Sequence, residues 1–267
     1  MKYVFNDEVY PVATSEGEIV DLLKSDTVRA VMYRNTELQK DLERVRTGIN
    51  FHENNSLAMQ YHATELSQKR IETGQNLYMR AIKCEDVLRE SADAAIAIDF
   101  ESLNIITHHT NEIRDLYKRV LGEYIGERRD ESLHSRLLMT PKGGVGRSPF
   151  LHADPVDLAA HITFDGAPLY MPQGVISDAT WEMIKRRELL TLSEEACAQA
   201  AGRDACSATP HVEFGSARLG DVVFKKGALG KDLDSPEERK GVCPHSSSPH
   251  ISDYGQVGAV IYSKEPS

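Results

Sequence analysis

Pro149-Phe150-Leu151-His152-Ala153-Asp154 is the stretch on which the reading of this chain turns. It follows the glycine-rich turn Pro141-Lys142-Gly143-Gly144-Val145-Gly146, and its polar pair is hard to explain as core packing. On an extended strand, successive side chains alternate between faces, so His152 and Asp154 point the same way. That arrangement supplies two of the three ligands of a facial metal triad. The third should be a nitrogen donor from a distant strand, and the best candidate is His245, in Val242-Cys243-Pro244-His245-Ser246-Ser247-Ser248-Pro249. Two neutral imidazoles and one carboxylate hold Fe(II) with three positions open, enough for a bidentate co-substrate and O2. His-x-Asp alone is a short pattern that also arises by chance in loops. The flanking sequence has to carry the rest.

Working outward, the texture from Ser135 onward is that of strands. Arg136-Leu137-Leu138-Met139-Thr140 and Leu158-Ala159-Ala160-His161-Ile162-Thr163-Phe164 read as strands, and Asp165-Gly166 as a tight turn. Pro168-Leu169-Tyr170-Met171 is expected to run back from that turn as the second arm of a hairpin. Ser177-Asp178 caps a helical insert over about 177–202. Strand character resumes at Val212-Glu213-Phe214, at Gly220-Asp221-Val222-Val223-Phe224-Lys225-Lys226-Gly227 and at Val257-Gly258-Ala259-Val260-Ile261-Tyr262. The two β blocks should pair across the insert.

The first half reads differently. After Pro11 no proline occurs until Pro141, and proline is excluded from helix interiors, so this stretch is free to be helical. Ser15-Glu16-Gly17-Glu18 offers a cap and acidic first turn ahead of Ile19, Val20, Leu22 and Leu23. Val28–Tyr33 is strand-like, a helix is expected from Thr36 to about Arg46, and apolar stripes predict helix over about 56–90 and from Phe100 or Ser102 to about Tyr124. The organisation expected is α+β, with residues 1–134 mainly helical and 135–267 mainly β, together one compact unit.

Composition narrows the function classes. A formal net charge of −10 argues against a nucleic-acid surface. The N-terminus lacks a signal-peptide core, and no apolar run approaches the ~20 residues a membrane helix requires. Four cysteines without a Cys-x-x-Cys pair point to reduced thiols and a cytoplasmic location. Partners are therefore expected to be small molecules and O2, with no nucleic acid or membrane, and a homo-oligomer is compatible with this reading.

The order of His-x-Asp, Asp-Gly turn, Gly-Asp strand and Pro-His-Ser-Ser-Ser-Pro resembles the double-stranded β-helix, a cupin-like jelly roll, of Fe(II)- and 2-oxoglutarate-dependent oxygenases. The likeness covers about 135–263 and extends to a group of uncharacterised bacterial proteins with a helical N-terminal part. It implies a helical N-terminal region packed on a C-terminal double-stranded β-helix, Fe(II) on His152, Asp154 and His245, and 2-oxoglutarate as co-substrate. Because Asp154 stands where the related halogenases carry a small residue, hydroxylation or another oxidation is implied. The resemblance also predicts a basic residue about ten positions after the distal histidine. This chain has Gly255-Gln256-Val257-Gly258 there, yet a dianionic co-substrate needs a charge-assisted partner. Arg136, Arg147, Lys225 and Lys226 are the alternatives, and strand alternation turns one of the two lysines inward. Arg136, Lys226, His161, Thr163 and Ser247 are assigned to the co-substrate, and Tyr170 and Arg147 to the substrate. An Fe(II)/O2 enzyme whose substrate chelates the metal directly and a non-catalytic cupin-like binding module are the competing readings.

Other patterns carry less. His161 also suits a satisfied core histidine, and Cys243 a small buried residue. His108 and Glu112 lie one turn apart on a predicted helix, with Glu53 or Glu65 as further carboxylates, but His108-His109 reads better as an exposed or interface pair. The glycines of 142–147 lack the Gly-Lys-Ser/Thr ending and following helix of a phosphate loop.

Overall fold

A computed structural model describes residues 10–51, 59–62, 96–126, 132–143, 151–186, 214–248 and 251–264. Around the His-x-Asp stretch the chain builds one long sheet. Its strands are β1 (Val12–Ala13), β2 (Ala30–Arg34), β4 (Met59–His62), β6 (Ser132–Thr140), β7 (Leu158–Gly166), β10 (Asp221–Lys226) and β11 (Gln256–Lys264). They lie in the order β1-β2-β10-β7-β11-β6-β4. Apart from the parallel β1/β2 contact, the pairings are antiparallel. β3 (Ile49–Phe51) pairs with β5 (Ile96–Ile98), and β8 (Tyr170–Pro172) with β9 (Phe214–Ser216), as separate ribbons.

Alternation divides the long sheet into two faces. Leu158, Ala160, Ile162 and Phe164 of β7, Val222 and Phe224 of β10, and Val257, Ala259 and Ile261 of β11 pack into the main core with residues from three helices. These are α1 (Glu16–Leu23), α2 (Thr36–Thr47) and α3 (Phe100–Ile125). Burying each such aliphatic or aromatic side chain contributes about 1.5–3 kcal/mol, which makes this face the main anchor of the fold. The caps follow from sequence. Ser15 and Glu18 form a reciprocal capping box at α1, Asn35 accepts from Glu37 and Leu38 amides at α2, and Asp99 from the Ser102 amide at α3. Buried Tyr117 of α3 donates its hydroxyl to Leu158 O (2.8 Å) and accepts from the Ser263 amide (3.0 Å), fixing the helix to β7 and β11.

α2 and α3 are joined by His109, which is buried rather than the exposed or interface residue that its sequence suggests. Its side chain is 2% exposed, with Nε2 2.9 Å from Asp41 Oδ2 and Nδ1 3.0 Å from Glu112 Oε2. Asp41 lies on α2 and Glu112 on α3, so the ring ties the two helices together. The carboxylates are half-exposed and solvent-screened, so the link is worth less than a buried charge pair. His109→Leu, which keeps the apolar packing, is expected to lower unfolding free energy by about 1–2 kcal/mol. Urea melts would check this, and an unchanged midpoint would show that the bridge contributes nothing.

Several expectations are met and three are corrected. The helices near 15–23, 36–46 and 102–124 are present, as are the expected strands of the second half, except that Val212 and Glu213 of the stretch 212–214 lie outside the described residues. Among the described residues of the first half, β1 and β4 are strands that join the long sheet beside the expected β2, where helix or no element was expected. Of the run 56–90, Met59–His62 form a strand and the other positions lie outside the described residues. α4 (Asp178–Arg186) forms the start of the expected insert, and residues 187–213 lie outside the description.

The third correction concerns Asp165-Gly166, which is not a hairpin. β7 pairs with β10 and β11 on its two sides, so neither edge is left for the returning chain. β8 pairs instead with β9, and Tyr170 with Ser246, in a second small layer. The turn is a corner between layers. Gly166 has φ +84°, and a Cβ there would stand 2.3 Å from Gly255 O. The Ala167 amide donates to that carbonyl at 2.8 Å and Gln256 Nε2 to Ala167 O at 2.7 Å. Where the resemblance predicts a basic anchor, Gln256 therefore holds the corner.

Candidate metal centre

The second layer lies over the face of the long sheet opposite the helices. By register and alternation that face carries Val223 and Lys225 of β10, Ala159, His161 and Thr163 of β7, Gly258 and Val260 of β11 and Arg136 of β6. Leu169, Met171, Ala217 and Cys243 pack against Val223, Ala30 and Met32 to seal part of it. The Cys243 thiol is buried beside Met171 Sδ (3.8 Å), and burial above all pushes its pKa up to about 12, so it is a packing residue.

His152 and His245 face each other in an antiparallel bridge. The His152 amide donates to His245 O (3.0 Å) and the His245 amide to His152 O (2.8 Å). Such a mutually bonded pair projects both side chains to one side of the ribbon, and the ring centroids are 4.4 Å apart. Asp154 Oδ1 lies 3.5 Å from His152 Nε2, and Oδ2 3.2 Å from His245 Nε2. One donor atom from each of the three residues lies within 4.8 Å of the others. A first-row ion with bonds of about 2.1 Å needs donors at right angles about 3.0 Å apart, so two imidazole nitrogens and a carboxylate oxygen at these separations fit such an ion.

The protonation pattern suits that role. His245 Nδ1 is 3.2 Å from Cys243 O, which can only accept, so Nδ1 carries the hydrogen and Nε2 presents its lone pair. Burial, and then the Lys225 ammonium, lower the His245 pKa to about 4, keeping the ring neutral. For Asp154, burial opposes ionisation, but the Lys225 ammonium above all outweighs it and holds the carboxyl well below the usual carboxylate range.

Asp154 is held from behind. Its carbonyl accepts from the Ala228 amide (2.8 Å), and the Gly227 amide donates to Asp157 O (2.9 Å). A Cβ on Gly227 would stand 1.8 Å from Val156 O and 2.8 Å from Asp154 O, so only glycine lets the ligand segment lie against the end of β10.

The remaining sequence-assigned residues divide. His161 and Thr163 are buried on the site-facing side, with His161 Nε2 3.4 Å from Thr163 Oγ1. Burial first, then the Lys225 ammonium, drive the His161 pKa well below its ordinary value, so it is neutral. Arg136 shares the row of Val260 and His161; its guanidinium lies 4.8 Å over the Tyr262 ring, and its buried Nε has no hydrogen-bond partner among the described residues. Tyr170 is buried beside the bridge and stacks on Phe214 with centroids 6.1 Å apart. Ser247 is half-buried and follows the bridging residue Ser246. Arg147 lies outside the described residues.

Lys226 is the correction in this set. Its Nζ donates to Ser25 O at 2.6 Å, so it serves the outer side of β10 beside the α1–β2 connection. Lys225 takes the inward position, with Nζ 2.7 Å from His245 Nε2 and 3.2 Å from Asp154 Oδ2. The parity of β10 decides between the two, and parity is fixed by pairing Lys225 with Ala159 and Ala30. A second group of metal-ligand type, His108, His109 and Glu112, sits on α3, where both rings already contact the Glu112 carboxylate and His109 also reaches Asp41 of α2. No described helix is long and apolar enough to cross a membrane.

No protein-family model matches the chain, and neither does any curated protein. Among solved structures it is similar to a full-length Neurospora crassa protein in complex with alpha-KG, at 9% identity and TM-score 0.49, over 99% of this chain and 88% of that one. It is similar also to JOX2 in complex with 2OG, Fe and JA, at 10% identity and TM-score 0.47, over 99% and 79%. EvdO2 from Micromonospora carbonacea var. aurantiaca, complexed with 2-oxoglutarate, shows 11% identity and TM-score 0.40 over 100% and 95%.

Proposed function

We propose that this chain is a mononuclear non-haem Fe(II) oxygenase, built on a double-stranded β-helix, that uses 2-oxoglutarate and O2 to hydroxylate or otherwise oxidise a small molecule. The observation that carries the reading is the mutually hydrogen-bonded His152/His245 pair with Asp154 against both rings. Three donors on one side of the site leave the opposite side open for co-substrate and O2.

Fe(II) bound there supplies the activation of O2 that accompanies oxidative decarboxylation of 2-oxoglutarate. The chain's own residues supply binding and orientation. Neutral His245 offers Nε2 because Cys243 O fixes its tautomer, and ionised Asp154 offsets one charge of the ion. Arg136 is the charge-assisted partner for the far carboxylate, its Nε having no hydrogen-bond partner among the described residues, while Thr163 Oγ1 and His161 add hydrogen bonds on the same face. Ser247 orients the co-substrate beside His245. Tyr170 and Arg147 receive the substrate, and the Leu169, Met171 and Val223 cluster excludes water from one wall.

The test is spectroscopic. Anaerobic addition of Fe(II) and 2-oxoglutarate is expected to give the weak visible charge-transfer band of the chelate, with succinate formed once O2 is admitted. Arg136→Met should retain the metal but weaken 2-oxoglutarate by about tenfold or more, the scale of one charge-assisted contact. Iron retention without response to 2-oxoglutarate would instead favour direct chelation by substrate. The alternative of a metal-free cupin-like module draws on the Lys225 ammonium beside His245, and neither band nor retained iron would decide for it.

A further inference from the structure

We propose that Lys225 is a built-in cation that competes with the metal ion for the lone pairs of His245 and Asp154, so that loading the centre requires its ammonium to leave; this rests on the metal-centre reading above. Four observations lead there. The side chain is 3% exposed, so the charge is held inside the protein. Its Nζ is 2.7 Å from His245 Nε2, the nitrogen whose lone pair is free because Nδ1 donates to Cys243 O. The same Nζ is 3.2 Å from Asp154 Oδ2, which is itself 3.2 Å from Nε2. The ammonium thus engages one donor atom on each of two ligands, in the positions a metal ion would use.

Two cations cannot share those atoms. A divalent ion at bonding distance from Nε2 and Oδ2 would lie within a few ångströms of Nζ, and like charges repel strongly where water is excluded. One must displace the other. The sheet gives the lysine somewhere to go, because its neighbours across both strands are the small side chains Ala159 and Ala30. A long, flexible stem can therefore change rotamer without repacking the layer. In this account the ammonium keeps two donors together and charge-compensated before loading, and lowers metal affinity as a result.

The experiment titrates Co(II) alone into the full chain, following visible absorption and heat, for wild type and Lys225→Met. The variant is expected to bind Co(II) about tenfold more tightly or better, the scale of coupling between close buried charges. Adding His245→Ala to Lys225→Met should cancel the gain. Equal or weaker binding by the folded single variant would overturn the competition while leaving wild-type metal binding in place. A gain that survives loss of His245 would overturn it too, since the ion would then sit elsewhere. Absence of Co(II) binding in both wild type and variant would overturn this inference together with the metal centre. Circular dichroism monitors folding, and Lys225→Gln, neutral but still able to donate to Asp154, replaces Lys225→Met if that variant does not fold.

Discussion

His245→Ala is expected to abolish the 2-oxoglutarate charge-transfer band and to lower affinity for Fe(II) by more than about 100-fold, since loss of an outer partner of a metal ligand alone costs about 10–100-fold. The substitution removes one of three donors and one of the two acceptors of the Lys225 ammonium, while the backbone exchange with His152 is retained because it uses main-chain atoms. The fold should therefore survive. Near-native thermal unfolding with loss of the band would locate the defect in the ligand set. A variant that still gives the band would remove His245 from the centre and with it the proposed geometry.

Gly227→Ala should have an effect of similar size by another route. The added methyl would stand 1.8 Å from Val156 O and 2.7 Å from Val156 C, so backbone has to move. Amides of Gly227, Ala228 and Leu229 bond the carbonyls of Asp157, Asp154 and Val156, and the displacement falls on the segment that holds Asp154. Overpacking of this kind costs about 1–3 kcal/mol, and backbone contact puts the expected loss at the upper end or beyond. Denaturant unfolding should show reduced stability, and Co(II) titration of the folded fraction should show weakened binding. Wild-type values for both would mean that the segment tolerates the shift and that Asp154 is not placed by this contact.

That His152, Asp154 and His245 come together is legible in the sequence because the pieces are local. His152 and Asp154 are two apart on extended chain, and His245 stands in a distinctive polar stretch. What the sequence left open depends on partners far along the chain. Asp165-Gly166 carries the local signature of a hairpin turn, but the outcome was set by Gly255 and Gln256, which hold it as a corner. Lys225 and Lys226 are alike as a dipeptide, and only the pairing of β10 with β7 and β2 turns the first inward. The strand at Ala30–Arg34 was readable, yet its place in the long sheet required β10 as neighbour. His109 looked surface-exposed because Asp41, its second carboxylate, lies on another helix.

The exchange of amides between His152 and His245 has a consequence for how such a protein can diversify. Donor spacing is written into main-chain hydrogen bonds and the end of one strand, while α4 and the segment between Leu229 and Val242 make none of those hydrogen bonds. Insertions and substitutions in those connections can reshape what enters the site without changing the separation of the imidazoles. Choice of substrate and retention of the metal can thus drift under separate selection, the first in the loops and the second in the ribbon.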